Sequence, residues 1–263
     1  MDADPLDAAA IRAALGARAQ QVEVRVLDRC ASTNSVLLDE AGSARCVLLA
    51  AEEQTAGRGR RGRRWTSPRG AGLTFSLARG IRRPARELPA LPLVAGVAAA
   101  RALRALGISG VSLKWPNDLI ARGGKLGGIL IETRSRGPDL AAVIGIGINW
   151  RRAPGLAARL RRRLASLDEL LSPCPSRNDG AGRLAAFLLD ALEDFEARGL
   201  ASVRGDWESL HAHAGRRMRL RLADGSEVAG IAEGLAEDGA LRLRTRHGVR
   251  AIAGASVVSL RAA

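Results

Sequence analysis

The sequence predicts an α+β protein, in which a mixed, largely antiparallel sheet with flanking helices is followed by a small β-barrel. Long strand patterns follow one another directly at residues 126–134 and 140–150, without the intervening helix that a parallel βαβ repeat requires. Apolar helical patterns at 88–106 and 183–199 supply faces that can pack on this sheet. After about residue 214, Asp-Gly pairs separate short alternating runs, as is typical of β-hairpins.

The first half of the chain alternates between helix and strand patterns. Apolar and polar side chains alternate in "VEVRVL" with the period of a strand, whereas "NSVLLDEAG" follows two hydroxyl residues that can cap a helix. The predicted order is a helix at 7–19, a strand at 22–27, a helix capped by Ser32 or Thr33, a buried strand at 46–52, a strand at 72–78 and a helix at 88–106 that ends at Gly107.

The second half contains the long strands and a further helical pattern. Short strands are predicted around "VSLKW" and "LIA", and "SRGPD" is the predicted turn between the two long strands. Leucines at helical spacing predict a helix over 155–171, with the arginines of "RLRRR" on its solvated face rather than at a nucleic-acid site. Asp-Gly turns at 224–225 and 238–239 predict the barrel, so we expect one domain over residues 1–214 and a second over 215–263.

The composition is that of an ordinary soluble globular protein, with 47% hydrophobic and 26% charged residues among 263. The most apolar stretch, 91–106, is interrupted by Arg101 and Arg104, and no apolar run reaches the roughly 20 residues that span a bilayer. The acidic start "MDADPLDAAA" lacks the layout of a secretion signal, so we expect a cytoplasmic protein with no membrane partner. Three scattered cysteines without a CxxC pair favour neither a disulfide framework nor a zinc site.

The net charge of +14 is a weak guide to partners. Only Lys114 and Lys125 among the 41 basic residues are lysines, and the others are arginines in an alanine-rich chain. A basic excess supports nucleic-acid binding in general, but a compositional bias produces the same charge. The rare residues are more informative, because both lysines lie close together and Asn34, Asn117 and Asn149 fall in the strings "STN", "KWPND" and "GIGIN".

Four segments contain side chains that can perform chemistry. The hydroxyls of "STN" and the amide of Gln54 suit a small neutral polar group. In "GRGRRGRRW" (57–65), the glycines let the backbone bend round a ligand, the arginines can neutralise a phosphate or carboxylate, and Trp65 offers a flat face. Both lysines lie on the turn and strand of "KWPNDLIARGGKLGGILIE", and "GIGIN" ends the next strand.

Each segment alone has a plainer interpretation. An arginine-glycine loop is commonly a basic surface segment, a tryptophan commonly packs in a core, "PND" is a turn signal in its own right, and strand glycines mark close packing. The phosphate-binding string GxxxxGK[ST] is absent from the sequence. The glycines of "GRGRRG" match the spacing GxGxxG, but a loop with five arginines is atypical of a dinucleotide-binding turn.

Taken together and in this order, the strings resemble the biotin–protein ligases over roughly residues 22–263. The arginine-glycine loop of that family reads GRGRxGRxW, and "GRGRRGRRW" has every fixed residue of it. "KWPND", "KLGGIL" in the place of KLxGIL, "GIGIN" and the upstream "STN" also match. The resemblance implies a class II synthetase-like catalytic domain that binds biotin and ATP, and a small SH3-like C-terminal barrel.

The resemblance implies an ATP-dependent ligase that makes biotinyl-5′-AMP from biotin and ATP. Biotin then passes to a lysine of the biotin carboxyl carrier protein domain of a biotin-dependent carboxylase. The first step brings a carboxylate against an α-phosphate, so cations must be held where the negative charge accumulates. Mg²⁺ is expected with ATP, without dedicated protein ligands, and the arginine loop is expected to shield the adenylate from water.

The functional positions of the family can be placed on this sequence residue by residue. The resemblance implies that Lys125 bridges the biotin carboxylate and the α-phosphate with Arg60 beside it, and that Asp118 either orients or deprotonates the acceptor lysine or is purely structural. The implied biotin-binding residues are Ser32, Thr33, Asn34, Gln54, Gly57, Arg58, Gly59, Arg60 and Lys125. The implied ATP- and adenylate-binding residues are Arg58, Arg60, Arg63, Trp65, Lys114, Asn117, Lys125 and Asn149. Arg61 and Arg64 are interpreted as background cations.

Three other functions remain open at this point. A lipoate– or octanoate–protein ligase shares the fold, although the arginine loop and the lysine strings favour biotin. A nucleic-acid-binding protein would use the basic loop, but it leaves the clustered lysines and asparagines unexplained. A module that binds biotin without activating it has no use for the cation cluster. Only about 20 residues precede the first strand, too few for the helix-turn-helix domain of some family members, so DNA is not an expected partner. A homodimer through the sheet is compatible with the resemblance.

Overall fold

A seven-stranded mixed sheet forms the larger part of the protein. The computed structural model describes residues 4–40, 45–136 and 139–261. The strands are β1 (Val22–Cys30), β2 (Cys46–Gln54), β3 (Gly72–Gly80), β4 (Ser112–Lys114), β5 (Asp118–Ala121), β6 (Gly124–Arg136) and β7 (Asp139–Asn149). They lie in the order β1-β2-β3-β7-β6-β5-β4, in which β1 and β2 are parallel and all other neighbours are antiparallel. The predicted α+β class and largely antiparallel sheet are therefore confirmed.

Helices cover both faces of this sheet. They are α1 (Ala8–Ala14), α2 (Thr33–Glu40), α3 (Leu91–Ala105), α4 (Leu156–Leu160), α5 (Arg177–Arg198) and α6 (Arg204–Leu210). Because alternate residues of a strand point to opposite faces, Leu48 and Ala50 of β2 lie in the main core with α3 and α5. Val47 and Leu49 instead lie in a smaller cluster that contains Leu37 of α2. The sheet thus separates a thick helical layer from the single short helix that carries "STN".

The predicted start of α2 and the core helix are both confirmed. Helix α2 begins at Thr33, and the backbone N–H of Val36 donates to the carbonyl of Ser32 at 3.1 Å, which puts Ser32 at the cap position. A short 3₁₀ turn precedes α3, and Ala85–Ala105 is the one described stretch that could cross a bilayer by length and composition. Of the most apolar 18 residues in this stretch, 72% are buried inside the fold, as expected for the core helix of this sheet.

Only the first part of the predicted helix over 155–171 forms, and the prediction is wrong beyond Leu160. Helix α4 ends at Leu160 because Arg161 adopts a left-handed conformation, with φ of 49°. The chain then runs alongside the start of β6, where Lys125 N donates to Arg163 O and Ala165 N donates to Lys125 O, each at 3.0 Å. These backbone bonds are available only in an extended conformation, so pairing with β6 replaces the helical hydrogen bonds. The predicted turn at 135–139 lies partly outside the described residues, which omit 137 and 138.

The predicted C-terminal β unit is a second, five-stranded antiparallel sheet. Its strands are β8 (Arg217–Arg221), β9 (Glu227–Leu235), β10 (Leu241–Thr245), β11 (Gly248–Ile252) and β12 (Ser256–Arg261), in the order β11-β10-β9-β8-β12. Gly225 and Gly239 follow the predicted Asp residues and have φ of 85°, as these hairpin turns require. Leu220 and Leu243 join the same core cluster as α3, so the apolar interior is continuous between the two sheets.

The N-terminal segment is attached to the larger sheet through the buried Arg177. The guanidinium of Arg177 pairs with Glu52 at 2.8 Å, and its Nε donates to Asp4 O at 3.0 Å. Leu6 N donates to the other Glu52 carboxylate oxygen at 2.6 Å. Residues 4–6 therefore complete a buried ion-pair network against β2 and the first turn of α5.

Candidate functional site

A single cleft between the arginine loop and the larger sheet is lined by most of the residues that the sequence singled out. The predicted residues that line it are Ser32, Thr33, Asn34, Gln54, Arg58, Gly59, Arg60, Arg63, Trp65, Lys114, Asn117, Asp118 and Lys125. The structure adds residues that the sequence did not indicate, among them Thr74, Phe75, Arg162, Ala255 and Val257. Elements from both sheets therefore surround one cleft.

The arginine loop 57–65 is an ordered hairpin. Its arms are joined by hydrogen bonds from Gly59 N to Arg63 O at 2.7 Å and from Trp65 N to Gly57 O at 2.9 Å. Arg61 and Gly62 at the tip have positive φ values of 56° and 69°. A Cβ on Gly57 would lie 2.5 Å from Trp65 O, so this arm can close only around a glycine.

Three arginines of the hairpin extend to three different elements. Arg58 forms an ion pair with Glu132 of β6, and Arg60 Nη1 donates to Asn117 Oδ1 at 3.2 Å. Arg61 donates to the carbonyl of Gly254, between β11 and β12. The sequence predicts no role for Arg61 beyond a background cation, but in the structure it joins the hairpin to the C-terminal sheet. Burial lowers the pKa of Arg60, yet an arginine remains charged at any physiological pH.

A chain of hydrogen-bonded polar side chains, which ends at the carboxylate of Glu132, begins on the other side of the cleft. Gln54 Oε1 accepts from Thr33 N at 2.8 Å and is 3.2 Å from Thr33 Oγ1, which lies 2.7 Å from Ser76 Oγ. Ser76 Oγ donates to Asn34 Oδ1 at 2.6 Å, and Asn34 Nδ2 donates to Glu132 Oε2 at 3.0 Å. We call Gln54, Thr33, Ser76, Asn34 and Glu132 the polar chain.

The sheet register explains how the polar chain is assembled. Gly145 of β7 is paired with Ser76 on β3 and with Leu130 on β6. Asn34 lies over Gly145, where it contacts Ser76 and also donates to Leu130 O at 3.3 Å. A Cβ at Gly145 would overlap the Asn34 amide, so the first glycine of "GIGIN" provides the space for this side chain.

The second glycine of "GIGIN" provides the space for Trp65. A Cβ on Gly147 would lie 2.5 Å from Cε2 of the indole ring, so the ring rests directly on β7. Trp65 Nε1 is buried and has no hydrogen-bond partner among the described residues. Lys125 Nζ lies 5.8 Å from the centre of the ring. The edge of the indole that carries Nε1 thus packs against β7, and the residue also lines the cleft.

Lys125 and Asp118 form an ion pair in the cleft. Burial lowers the pKa of Lys125, and the neighbouring carboxylate of Asp118 opposes this shift. Arg162 and Lys114 lower the pKa further through charge repulsion. Several cations are therefore held close together at one point, as a site for an anionic reactant requires.

The remaining predicted residues brace the backbone or line a second cavity. Asn117 Nδ2 donates to Ile129 O at 2.7 Å, which fixes the "PND" turn against β6. Asn149 does not line the cleft, and its Nδ2 donates to Lys125 O and to Ala165 O, each at 3.0 Å. Its side chain borders an adjacent cavity lined by Ser67, Pro68, Ala71, Arg151, Arg152, Ala153, Pro154, Gly155, Leu156, Ala157, Leu164, Ala165, Ser166 and Glu169.

Glu132 and Ser76 are the polar-chain members that sequence reasoning missed. Ser76 is a fully buried hydroxyl in the apolar strand "GLTFSLA", and Glu132 directly follows "KLGGILI". A polar residue inside an apolar strand was the available signal. Within the described ranges, no group of three or more His, Cys, Asp or Glu side chains could hold a metal ion.

Comparisons with known proteins agree with this geometry. Residues 26–149 match the biotin/lipoate A/B protein ligase family, and residues 213–260 match the biotin protein ligase C-terminal domain. The bifunctional ligase/repressor BirA of Escherichia coli is 38% identical over 225 residues, which cover 84% of this chain and 68% of that protein. The biotin–[acetyl-CoA-carboxylase] ligase of Mycobacterium tuberculosis is 34% identical over 98% of this chain and 97% of its own length. The structure of biotin protein ligase from Aquifex aeolicus in complex with biotin and ATP superposes with a TM-score of 0.77 at 29% identity, over 92% of this chain and 99% of that one.

Proposed function

The chain belongs to the biotin protein ligase family, and we propose that it activates biotin with ATP and transfers the biotinyl group to a lysine of a biotin carboxyl carrier protein. One observation carries this proposal. Thr33, Asn34 and Gln54 of the polar chain line the same cleft as the cations of Lys125, Arg58 and Arg60. A molecule with a neutral polar ring at one end and a carboxylate at the other meets both sets of groups at once.

In the first step, an oxygen of the biotin carboxylate attacks the α-phosphorus of ATP. The new carboxyl–phosphate bond forms as the bond to the bridging oxygen breaks, and pyrophosphate leaves with its electrons. Two anions must approach each other, so the positive charges of Lys125 and Arg60 lower the barrier where the negative charge accumulates. The product is the mixed anhydride biotinyl-5′-AMP, and no covalent bond to the protein forms.

We place the rest of the nucleotide beside Lys125. Lys114, Asn117 and Arg63 line the cleft and can form hydrogen bonds to phosphates. Trp65 lines the same cleft with its indole ring. Asn149 links the backbone of Lys125 to the second cavity, whose apolar wall includes Leu156 and Leu164. If the adenine or ribose of ATP occupied that cavity, the phosphates of ATP would lie near Lys125. Mg²⁺ would then arrive bound to ATP, held by the phosphates.

In the second step, the acceptor lysine attacks the carbonyl carbon of the adenylate and AMP leaves. The attacking amine must lose a proton, and Asp118 is the carboxylate that we assign to orient it or to take that proton. Arg58, Arg60 and Arg61 hold the hairpin against three neighbouring elements. A hairpin held in this way shields the anhydride from water until the carrier arrives.

The polar chain favours biotin over lipoate or octanoate. The ureido group of biotin carries N–H and C=O groups that can pair with hydroxyls and amides. A dithiolane or alkyl chain has no such groups and would leave buried polar atoms without partners, at a cost of about 1–3 kcal/mol for each one.

We further assign residues 1–214 to the catalytic domain and 215–263 to the small β domain, with the acceptor a carrier domain of a carboxylase in the cytoplasm. A homodimer stays a prediction from the family resemblance.

The test is biotin-dependent exchange of labelled pyrophosphate into ATP, followed by transfer of labelled biotin to a purified carrier domain. We expect both activities with biotin, neither with lipoate or octanoate, and loss of exchange in Lys125→Ala. Arg104→Ala serves as the matched control, because it removes a cation from the exposed side of α3. Exchange supported equally by lipoate, or near wild-type exchange in Lys125→Ala, would contradict the proposed function or its mechanism, respectively.

A further inference from the structure

We propose that Glu132 is a positioning residue, which fixes the direction of the hydrogen bonds along the polar chain so that Thr33 can only accept a hydrogen bond from the ligand. Glu132 does not line the main cleft and touches the hairpin from the outer side, so it acts through Asn34 and Thr33. The inference rests on the proposed function, because it specifies how that site recognises the ureido N–H of biotin.

The direction of the polar chain begins at a group that cannot donate. An ionised carboxylate only accepts, so the Asn34 atom that faces Glu132 Oε2 at 3.0 Å must be the amide nitrogen. Leu130 O accepts from the same nitrogen over the longer distance of 3.3 Å and acts in the same sense. Since bonds to a charged acceptor are roughly twice as strong as neutral ones, Glu132 provides the larger orienting effect.

The remaining bonds follow from this orientation. Asn34 Oδ1 faces Ser76 Oγ at 2.6 Å, so the hydroxyl proton of Ser76 is committed to Asn34. In the 2.7 Å pair between Thr33 and Ser76, Thr33 is then the donor, and its alternative partner Gln54 Oε1 is also an acceptor. Either way, the single proton of Thr33 points into the protein. Only lone pairs remain for a molecule in the cleft.

A site that presents an acceptor selects for a ligand N–H. An analogue with an oxygen in place of that N–H would set lone pairs against lone pairs and leave the Thr33 acceptor unpaired. Glu132 thereby excludes such analogues without touching them. Its ion pair with Arg58 also ties the polar chain to the arginine hairpin, so a test must separate the two roles.

The experiment compares the dissociation constants of biotin and of its two cyclic carbamate analogues, each with a ring oxygen in place of one ureido N–H, by titration calorimetry. The proteins are the wild type, Glu132→Met, which removes the charged acceptor, and Glu132→Lys, which replaces it with a donor. We expect the wild type to prefer biotin over at least one carbamate by more than about tenfold. That ratio should fall in Glu132→Met and approach one in Glu132→Lys.

A double-mutant cycle with Thr33→Val isolates the action through Thr33. In the Thr33→Val background, Glu132→Met should leave the biotin-to-carbamate ratio unchanged, although it still removes the Arg58 partner. An undiminished ratio in both Glu132 variants overturns the proposal, as does an equal effect of Glu132→Met in both backgrounds. Failure of the wild type to bind biotin would instead contradict the proposed function. Thermal melts of each variant verify that it is folded.

Discussion

Lys125 and Asp118 form an ion pair in which neither side chain is more than a quarter exposed, at 17% and 22%. Asp118 begins β5 and Lys125 lies at the start of β6, so the tight connection between these strands brings the two groups together. Burial disfavours the charge on the lysine and the carboxylate favours it. The pair therefore keeps a cation in a place where an isolated lysine would lose its proton more readily.

The pH dependence of adenylate formation should reveal how burial and Asp118 act in opposite directions on the pKa of Lys125. The step needs a charged Lys125, whose pKa is lowered by burial, so the rate should fall as pH rises through a value below the ordinary lysine pKa of about 10.4. Asp118→Asn removes the attraction that supports the charge, so the decline should begin about one to three pH units lower. Pyrophosphate exchange measured between pH 6 and pH 10 checks this.

Lys125→Arg is the control for the pH profile. Arginine stays charged across this range, so the alkaline decline should disappear from whatever activity the variant retains. A profile of Asp118→Asn that superposes on the wild-type profile would show that the carboxylate does not support the charge of Lys125.

Gly145→Ala should weaken biotin binding by about tenfold to a hundredfold. A methyl group at this position overlaps the Asn34 amide, so the side chain must leave the polar chain or β7 must shift. Gly80→Ala is the matched control, because it lies in the adjacent strand and its added Cβ meets no atom within 4 Å. Calorimetric titration with biotin measures both variants. Equal biotin affinities of Gly145→Ala and Gly80→Ala would contradict the proposed role of Gly145.

Arg60→Gly should release the adenylate before transfer. The variant loses the hydrogen bond to Asn117 and a half-buried cation of the hairpin, so the intermediate is held less firmly. Lysines of unrelated proteins added to the reaction should then become biotinylated at several times the wild-type level. Arg64→Gly removes an exposed arginine from the same hairpin and should cause much less labelling of this kind. If Arg60→Gly held the adenylate as firmly as the wild type does, the proposed shielding role of the hairpin would be contradicted.

Two buried histidines should make the fold sensitive to mild acid. Burial lowers the pKa values of His211 and His213 to about 4, and three of their four ring nitrogens have no hydrogen-bond partner among the described residues. Above pH 6.5 the two histidines are neutral in both the folded and the unfolded protein. Between pH 6.5 and pH 4 these histidines take up protons in the unfolded chain but not in the folded one. Stability therefore falls as pH decreases, by roughly 2 kcal/mol for each histidine at pH 5.

Urea unfolding at pH 7.5 and pH 5.0 measures this effect. His211→Phe and His213→Phe should each remove part of the acid sensitivity, whereas substitution of the exposed His247 by Gln should leave it in place. An unchanged loss of stability in the double Phe variant would assign the sensitivity to other groups.

The sequence predicted the parts of the cleft whose residues are neighbours in the chain and form short motifs. The hairpin with Trp65, the lysine of "KLGGIL" and the cap at "STN" depend on local spacing and lie where it indicated. Ser76 and Glu132 act through strand neighbours and through Asn34, which are far away in the sequence. Their role depends on sheet register, which no single stretch of sequence specifies.

The segment 155–171 shows the same limit for secondary structure. Its leucines have helical spacing, but Arg163 and Ala165 find backbone partners on Lys125, some forty residues earlier. Tertiary hydrogen bonds override local propensity here. Arg61 is a similar case, since its acceptor at Gly254 lies on the other sheet.

Ala255 and Val257 line the cleft, and Gly254 receives the tip of the arginine hairpin. During synthesis on the ribosome, the strands that carry the polar chain and Lys125 emerge long before these residues. A nascent chain that ends before residue 254 would lack both this wall of the cleft and the acceptor for Arg61. Completion of the cleft is thus tied to translation of β12, so the wall that these residues supply is added after the strands that carry the cations.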